Sequence, residues 1–360
     1  MNWPEHKWTL APLLPLAWLY RGAVALRNFF YDKNLFAVTR VPARVVSIGN
    51  PSTGGSGKTP TTAFLANALV ARGVKVAIVA RGYHREGIGA CIVSDGQSVL
   101  AEIHEAGDEP LLLAQQCPGV PLVVDESKTR AAQIAVEHFE PQALLIDDGF
   151  QHRRLHRDLD LVIISARMML QKPWLLPAGP LREPLSNLHR AHWILLAGLQ
   201  DLSAVDQKKV FELCRSNTNA KLLPIEFCVE GIHAMFEGKK LATPQRHNAS
   251  ALLVSGIALP ERFQKSAQSA GVIVRERLVY RDHHRYSEND VSRLIAKFQS
   301  SRVDYVLTTA KDAIKLQNFA RLQSLPMYVL ELRFSAVENE VNELLRAVMA
   351  DETLSEKLIV

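Results

Sequence analysis

The sequence predicts an α/β protein: a mostly parallel sheet, a second and smaller α/β unit after it, and an apolar helix in front. Three observations carry this. Short continuous apolar runs alternate with stretches of helical spacing, the pattern of a parallel sheet covered on both faces. The alternation blurs between Lys221 and Ser250 and then begins again. Near the N-terminus, WTLAPLLPLAWLY (Trp8–Tyr20) has only Thr9 as a polar side chain. The units expected are an apolar membrane-associated helix over 1–35, a main domain over 36–225, linking hinge strands over 226–250 and a smaller α/β domain over 251–360.

Composition bounds the function. The chain has 360 residues, 48% of them hydrophobic, which excludes a disordered chain and leaves room for two domains. Its four cysteines are scattered with no Cys-x-x-Cys pair, so neither a zinc knuckle nor a redox pair is indicated. They read as reduced core residues of a cytosolic protein. The net charge of +5 is unevenly placed. Lys7, Arg21, Arg27, Lys33, Arg40 and Arg44 face only Glu5 and Asp32 within the first fifty residues, which leaves +4 there. Basic residues beside an apolar segment suit an anionic membrane surface. The nearly neutral remainder argues against a nucleic-acid binder.

The apolar segment is too short and too interrupted to span. A spanning helix needs about 20 apolar residues, whereas Arg21 breaks this run and Pro12 and Pro15 lie inside it. No small-residue cleavage site follows, so it does not read as a signal peptide. Aromatic residues at both ends suit the headgroup level, and a helix lying in the inner leaflet is expected. A helix packed on the protein's own core is the alternative.

From Ala43 the elements follow in order. ARVVSIGN is a buried strand and TTAFLANALVARG a helix ending at Gly73. VKVAIVARGY, PLVVDE, ALLIDDGFQ, LDLVIISA and HWILLAG are further strands. LLPIEFCVEGIHAMF suggests one or two connecting strands. The second alternation runs through ALLVSGIALPERF, VIVRERLVY, a helix capped at Ser287, VDYVLTTAKDAIKL and MYVLELRF. A last helix near Ala336–Ala350 carries Val337, Val341, Leu344, Leu345 and Val348 on one face.

Two stretches carry chemistry. GNPSTGGSGKTP (Gly49–Pro60) joins the first strand to its helix. Gly54, Gly55 and Gly57 let the backbone approach an anion, and the helix start offers free N–H groups and a positive dipole end. Lys58 reaches the β- and γ-phosphates and the Thr59 hydroxyl suits Mg²⁺. The segment Thr53, Gly54, Gly55, Ser56, Gly57, Lys58 and Thr59 is therefore the expected ATP cradle of a P-loop NTPase-like sheet, although Ser52 stands where the loop's first glycine is usual. In LLIDDGFQ an apolar strand ends in Asp147 and Asp148, at the sheet edge where ligands of parallel sheets bind. Two adjacent carboxylates there suit Mg²⁺ held directly or through water.

Further blocks join these: ARGYHREG (Ala80–Gly87), AGDEPLLLA (Ala106–Ala114), LLIDDGFQHRRLHRDLDLVI, LLPAGPLREP (Leu175–Pro184), SGIALPERF, DHHRYS (Asp282–Ser287) and TTAKDAIKL (Thr308–Leu316). With them the sequence resembles the tetraacyldisaccharide 4′-kinase family, the lipid A kinases of Gram-negative bacteria. Ser52-Thr53 and His84-Arg85 depart from the family pattern. The resemblance implies that ATP phosphorylates the 4′-hydroxyl of a tetraacylated glucosamine disaccharide 1-phosphate, a step of lipopolysaccharide synthesis at the cytoplasmic face of the inner membrane. It implies Asp108 as the catalytic carboxylate with His283 as its partner, and Lys58 on the phosphates. It adds Glu183 to Thr59, Asp147 and Asp148 around the metal, and sets Arg81, Tyr83 and Arg182 at substrate or transferring phosphate. A monomer is expected.

The same residues have plainer readings. Asp108 could cap the helix beginning near Pro110. His283 could be a surface histidine, and Glu183 could pair with an arginine. HRRLHRD (His152–Asp158) could be a solvated loop or could steer an anionic acceptor. A membrane-associated P-loop ATPase acting as a switch or partitioning factor is the main functional alternative; a soluble-sugar kinase leaves the apolar N-terminus unexplained. If Asp108 and His283 act together, the two units must close over the site, with a hinge near 220–250 and an open form without ligands.

Overall fold

The computed structural model describes residues 12–171, 173–236 and 249–349. The first part of the apolar N-terminal run and residues 237–248 of the expected linker lie outside them. The strands are β1 (Arg44–Gly49), β2 (Val76–Ala80), β3 (Cys91–Asp95), β4 (Pro121–Val124), β5 (Ala143–Asp147), β6 (Leu159–Ser165), β7 (Trp193–Ala197), β8 (Lys221–Ala234), β9 (Ser250–Ser255), β10 (Ile273–Val279), β11 (Tyr305–Thr309) and β12 (Met327–Ser335). The helices are α1 (Leu14–Asp32), α2 (Lys58–Val70), α3 (Ile103–Ala106), α4 (Asp108–Gln116), α5 (Lys128–Phe139), α6 (Ala166–Gln171), α7 (Ala204–Arg215), α8 (Pro260–Ser269), α9 (Glu288–Ser301), α10 (Ala310–Leu316) and α11 (Glu338–Met349).

The strands form one sheet in the order β10-β9-β11-β12-β8-β7-β6-β1-β5-β2-β4-β3. Neighbours are parallel except at the edge pair β3–β4 and at β8–β12. The central strands are buried on both faces, and their residues alternate between two cores. Val46, Ile48, Ile78 and Leu145 join the core under α2 and α4. Val45, Ala77, Val79 and Leu144 join the core under α5. Edge strand β3 was not expected: CIVSD is short and ends in an acid, and among the described strands β4 is its one neighbour.

Leu145 sits at the centre of β5 and is fully buried. Leu145→Ala is expected to weaken the fold by about 2–5 kcal/mol, through lost apolar transfer and the cavity left behind. A lowered denaturant midpoint checks this; an unchanged midpoint would mean that face of the strand is not tightly packed.

The two expected units are joined more closely than a linker would join them. β8 runs unbroken through the predicted hinge. Its first half, Lys221–Ile225, pairs in parallel with β7. From Glu226 to Ala234 it pairs antiparallel with β12 instead. Phe227 on β8 and Phe64 on α2 both pack against Phe334 of β12, the latter as a stacked pair with centroids 4.3 Å apart. The last helix also differs from expectation. The 251–360 unit was to contain it, but Leu344, Leu345 and Val348 of α11 pack in the core of the first unit, and Arg44 donates to the Ala347 carbonyl at 2.9 Å. Its apolar stripe is buried where α2 leaves sheet uncovered.

α1 carries Pro15 in its first turn, where no intrahelical N–H is lost. Ala17, Val24 and Asn28 are buried against the body. Leu16, Trp18, Leu19, Leu26 and Phe29 are exposed on the other side. The helix is thus both packed on the protein and apolar outward. Among the described residues, no helix is long and apolar enough to cross a membrane.

Candidate active site

The β1–α2 loop carries the expected phosphate cradle at the C-terminal edge of the sheet. Gly57 caps α2 with φ +92° and Gly54 has φ +103°, values that favour glycine. A Cβ at Gly57 would lie 2.3 Å from the Phe227 ring, so a side chain there is excluded twice over. A Cβ at Gly54 would meet nothing, since its backbone faces open cleft. The Ser56 hydroxyl is buried without a protein partner among the described residues. An exposed left-handed backbone, an unpartnered hydroxyl and a helix start converge on one spot, as an anion requires.

The loop's entry explains its missing glycine. Ser52 makes a bridge to Leu181, and the Thr53 N–H donates to the Pro180 carbonyl at 2.8 Å. The Arg182 N–H returns a bond of 2.7 Å to the Pro51 carbonyl. Ser52 is therefore strand-like, with no need of positive φ, and the PAGPLREP segment is stitched to the phosphate loop.

Register brings the acidic pair beside the loop, because Ile48 of β1 lies opposite Asp147 of β5. Asp148 has φ +51° and turns its carboxylate back. Arg182 grips it with two bonds of 2.8 Å, and Lys58 lies 3.6 Å away. Burial would raise the Asp148 carboxyl; Lys58, Arg182 and Lys128 outweigh it and hold it well below the usual range. Asp147 goes the other way. Burial first, then the Glu109 and Asp148 charges, push it up to about 6 against the opposing lysines. It accepts one side-chain bond, from Thr62 at 3.2 Å.

Several site residues have no assigned role in the sequence. The Asn50 amide oxygen accepts from Lys58 at 3.2 Å and from Arg182. Lys128 is buried and donates to the Asp147 and Asp148 carbonyls, and its burial lowers it to about 8. Asn50 lies inside the quoted loop and Lys128 just past the quoted PLVVDE strand, but only the fold shows where their side chains point.

Across the cleft stands the expected pair. His283 Nδ1 is 3.0 Å from Asp108 Oδ2 and 3.1 Å from Oδ1. Asp108 is the first residue of α4 and not its cap, which is Gly107; its carboxylate also accepts the Glu109 N–H at 3.0 Å. His283 is held at φ +57°, its N–H donating to the Gly256 carbonyl at 3.2 Å. Lys311 lies 3.0 Å from His283 Nε2 and 3.0 Å from Glu109; Lys315 is 3.8 Å from Asp108. Burial would raise Asp108, but the His283 hydrogen bond and the Lys311, His283 and Lys315 charges bring it to about 2. His283 is raised, first by its bond to Asp108, with burial opposing. Lys311 and Glu109 went unassigned, although both sit inside quoted blocks.

The two units are thus in contact over the site. Arg285 reinforces the contact through Glu86, at 2.7 Å, and the His84 carbonyl. The cleft between the units, about 520 Å³, is lined by Thr53–Thr59, Asp147, Asp148, Arg182, Arg81 and Tyr83 on one side. Ile257, Leu259, Phe263 and His283 line the other. Arg81 lies over the Tyr83 ring at 5.3 Å on the exposed rim.

Glu183 does not come to this cleft. It was expected among the metal ligands, but it is fully buried and turned away from the cleft, in ion pairs with Arg27 at 3.2 Å and with Arg190. Asn187 donates to it at 2.7 Å and Asn28 at 3.4 Å. The neighbouring Arg182 faces the cleft, so Glu183 must face away. Within the HRRLHRD run Arg153 pairs with Asp32 and Arg157 with Asp160, while Arg154 is exposed.

Comparison with known proteins places these features in a family. The tetraacyldisaccharide 4′-kinase of Bdellovibrio bacteriovorus is 38% identical over 340 residues, covering 94% of this chain and 99% of that protein. That of Chlorobium limicola is 35% identical over 346 residues, covering 92% and 95%. The crystal structure of the "apo" form of LpxK from Aquifex aeolicus in complex with ATP matches with a TM-score of 0.75 at 30% identity, over 94% of this chain and 98% of that one. These matches do not favour a switch ATPase. The family model described as LpxK, tetraacyldisaccharide-1-P 4′-kinase, covers residues 9–350, and the chain belongs to that phosphotransferase family.

Proposed function

We propose that this chain transfers the γ-phosphoryl group of ATP to the 4′-hydroxyl of a tetraacyl disaccharide 1-phosphate, with Mg²⁺, at the cytoplasmic face of the inner membrane. The carrying observation is the Asp108–His283 pair, facing the phosphate loop across one cleft. The acceptor oxygen bonds to Pγ as the Pγ–Oβ bond breaks and ADP leaves. The acceptor's proton passes to the Asp108–His283 pair. A carboxylate this acidic cannot remove an alcohol proton outright. In a loose transition state it need only hold the hydroxyl by a hydrogen bond until the new P–O bond has largely formed. Lys58 and Arg182 supply positive charge to the transferring oxygens.

The donor set suits a hard cation. Asp147 carries a charge that burial disfavours and that, among the described residues, no cation meets as closely as Arg182 meets Asp148; Thr59, in the first turn of α2, lines the same cleft. Mg²⁺ typically takes one or two carboxylates, the phosphates and water. Asp147 and Thr59 would hold it, with Asp148 set by Arg182 in the outer shell; the ion would offset phosphate charge. Both halves of the acid–base pair come from one chain, so a monomer suffices.

The apolar outer face of α1 supports the membrane placement. A four-chain acceptor stays in the bilayer, since each buried CH₂ is worth about 0.8 kcal/mol. One experiment tests the whole: labelled ATP, the protein and anionic phospholipid vesicles carrying the acceptor. Label is expected in the glycolipid, and a Trp18→Ser/Leu19→Ser variant is expected to sediment with vesicles several-fold less. No label in glycolipid refutes the reaction; unchanged sedimentation refutes the placement.

A further inference from the structure

α1 reaches the catalytic cleft from behind. On its inner face Tyr20 donates its hydroxyl to the Arg182 carbonyl at 2.9 Å. About two turns on, Arg27 and Asn28 hold the carboxylate of Glu183. Glu183 is fully buried and Asn28 is 7% exposed, so their bond lies inside the protein, while the Arg27 side chain reaches it from the half-exposed edge of the helix. Further along, the Asn28 carbonyl accepts from Arg153 at 3.1 Å, and Asp32 pairs with the same arginine at 2.7 Å. Arg153 belongs to the loop that follows Asp148. One helix therefore grips both chain segments that meet in the Arg182–Asp148 pair.

We infer that Tyr20, Arg27 and Asn28 are positioning residues for phosphoryl transfer, fixing Arg182 against Asp148 through Glu183 and the Arg182 backbone. The inference rests on the kinase reading above. Its physical basis is direction. Arg182 and Glu183 are adjacent and point to opposite sides, so a clamp on Glu183 and on the Arg182 carbonyl sets where the Arg182 guanidinium can go. Arg190 and Asn187 also hold Glu183, but they lie on its own segment and would move with it. The phosphate loop holds the Arg182 N–H from one side, through the Pro51 carbonyl; α1 supplies the reference on the other side, at the Arg182 carbonyl and the Glu183 carboxylate. Because the outer face of the same helix is apolar, whatever seats the helix also seats Arg182. Removing Met1–Tyr31 would then do more than release the protein from lipid, for it would take Tyr20, Arg27 and Asn28 away and leave Glu183 half satisfied.

The test separates the two faces of α1. A Tyr20→Phe/Arg27→Met variant is compared with Trp18→Ser/Leu19→Ser and wild type, using acceptor dispersed in detergent. The inner-face variant is expected to lose about tenfold in kcat, the scale of a sub-ångström misplacement, with KM for ATP and vesicle sedimentation unchanged. Arg27→Lys, which keeps the charge, is expected to recover much of the rate. The outer-face variant is expected to keep its kcat in detergent. Amide hydrogen exchange over residues 180–184 supplies a readout that needs no turnover, and it is expected to speed up in the inner-face variant only. Wild-type kcat with unchanged exchange in a folded inner-face variant overturns the inference. A wild-type protein that transfers nothing overturns the kinase reading instead, and the exchange result then decides the clamp. Should the double variant not fold, Tyr20→Phe alone, which removes one oxygen, is held to the same two readouts.

Discussion

Asp108→Ala is expected to lower kcat for lipid phosphorylation by roughly 10²- to 10⁴-fold, the usual worth of a positioned general base, while ATP affinity stays within a few-fold. The residue touches neither the phosphate loop nor its lysine. Its carboxylate is engaged with His283 and lies near Lys311 and Lys315. The pH profile should change in a definite direction. In wild type the pair can accept a proton only once His283 has lost its own, so the rate rises with pH through the raised His283 pKa. The bond to Asp108 is the largest cause of that rise, so in Asp108→Ala the midpoint of the residual activity moves to lower pH. His84, Glu109 and Lys311 also face the imidazole and remain in both proteins, with Asp282 paired to Lys311.

The same pair links the two units, and the sign of its stability effect follows from the same values. His283 contributes fully below 6.5, and its contribution is lost as pH rises through its higher folded pKa. Asp108 contributes fully above 3.8, and its contribution is lost as pH falls through about 2. The contact therefore holds across the acidic-to-neutral range. An Asp108→Ala rate within threefold of wild type, or a midpoint that does not fall, would remove the residue from the mechanism.

How much of this was legible depended on sequence distance. The phosphate cradle and Asp147-Asp148 could be read because each is local: glycines, a lysine and a threonine at one strand–helix junction, two acids at one strand end. Asp108 and His283 lie 175 residues apart. No periodicity connects them, and only the family resemblance paired them. Glu183 shows the limit of that borrowing. Its neighbour Arg182 enters the cleft, and alternation along an extended segment turns Glu183 the other way, toward α1. β8 defeated the domain boundary for a related reason. A strand that pairs with one neighbour through Ile225 and another from Glu226 reads as one blurred run, because its burial changes sides partway. α11 was recognised as a helix from its stripe, but a stripe does not say which surface covers it. Lys311 and Lys128 escaped because a buried lysine looks like any other until its anionic partners are seen around it.

Lys58→Met is expected to lower kcat by roughly 10²- to 10³-fold, about 2.7–4 kcal/mol, the usual loss when one preorganised charge facing a developing anion is removed. The side chain is only 16% exposed at the start of α2, so solvent screens it little. Its ammonium is steered by Asn50 at 3.2 Å and Asp148 at 3.6 Å, which leaves it aimed along the loop rather than free to follow the phosphate. Methionine keeps the stem and removes the charge. ATP binding should weaken as well, because the ammonium meets the phosphates before and during transfer. The fold should not suffer: Asp148 loses one cation but keeps the two 2.8 Å bonds from Arg182. Arginine should not rescue, since its planar fork neither fits a point-charge position nor shares Asn50 with Arg182. Calorimetry with ATP and initial rates with acceptor separate the two effects. If Lys58→Met keeps more than a tenth of the wild-type kcat at saturating ATP, the developing charge is met chiefly by Arg182. The α1 clamp behind that arginine would then carry more of the catalysis than the phosphate loop itself.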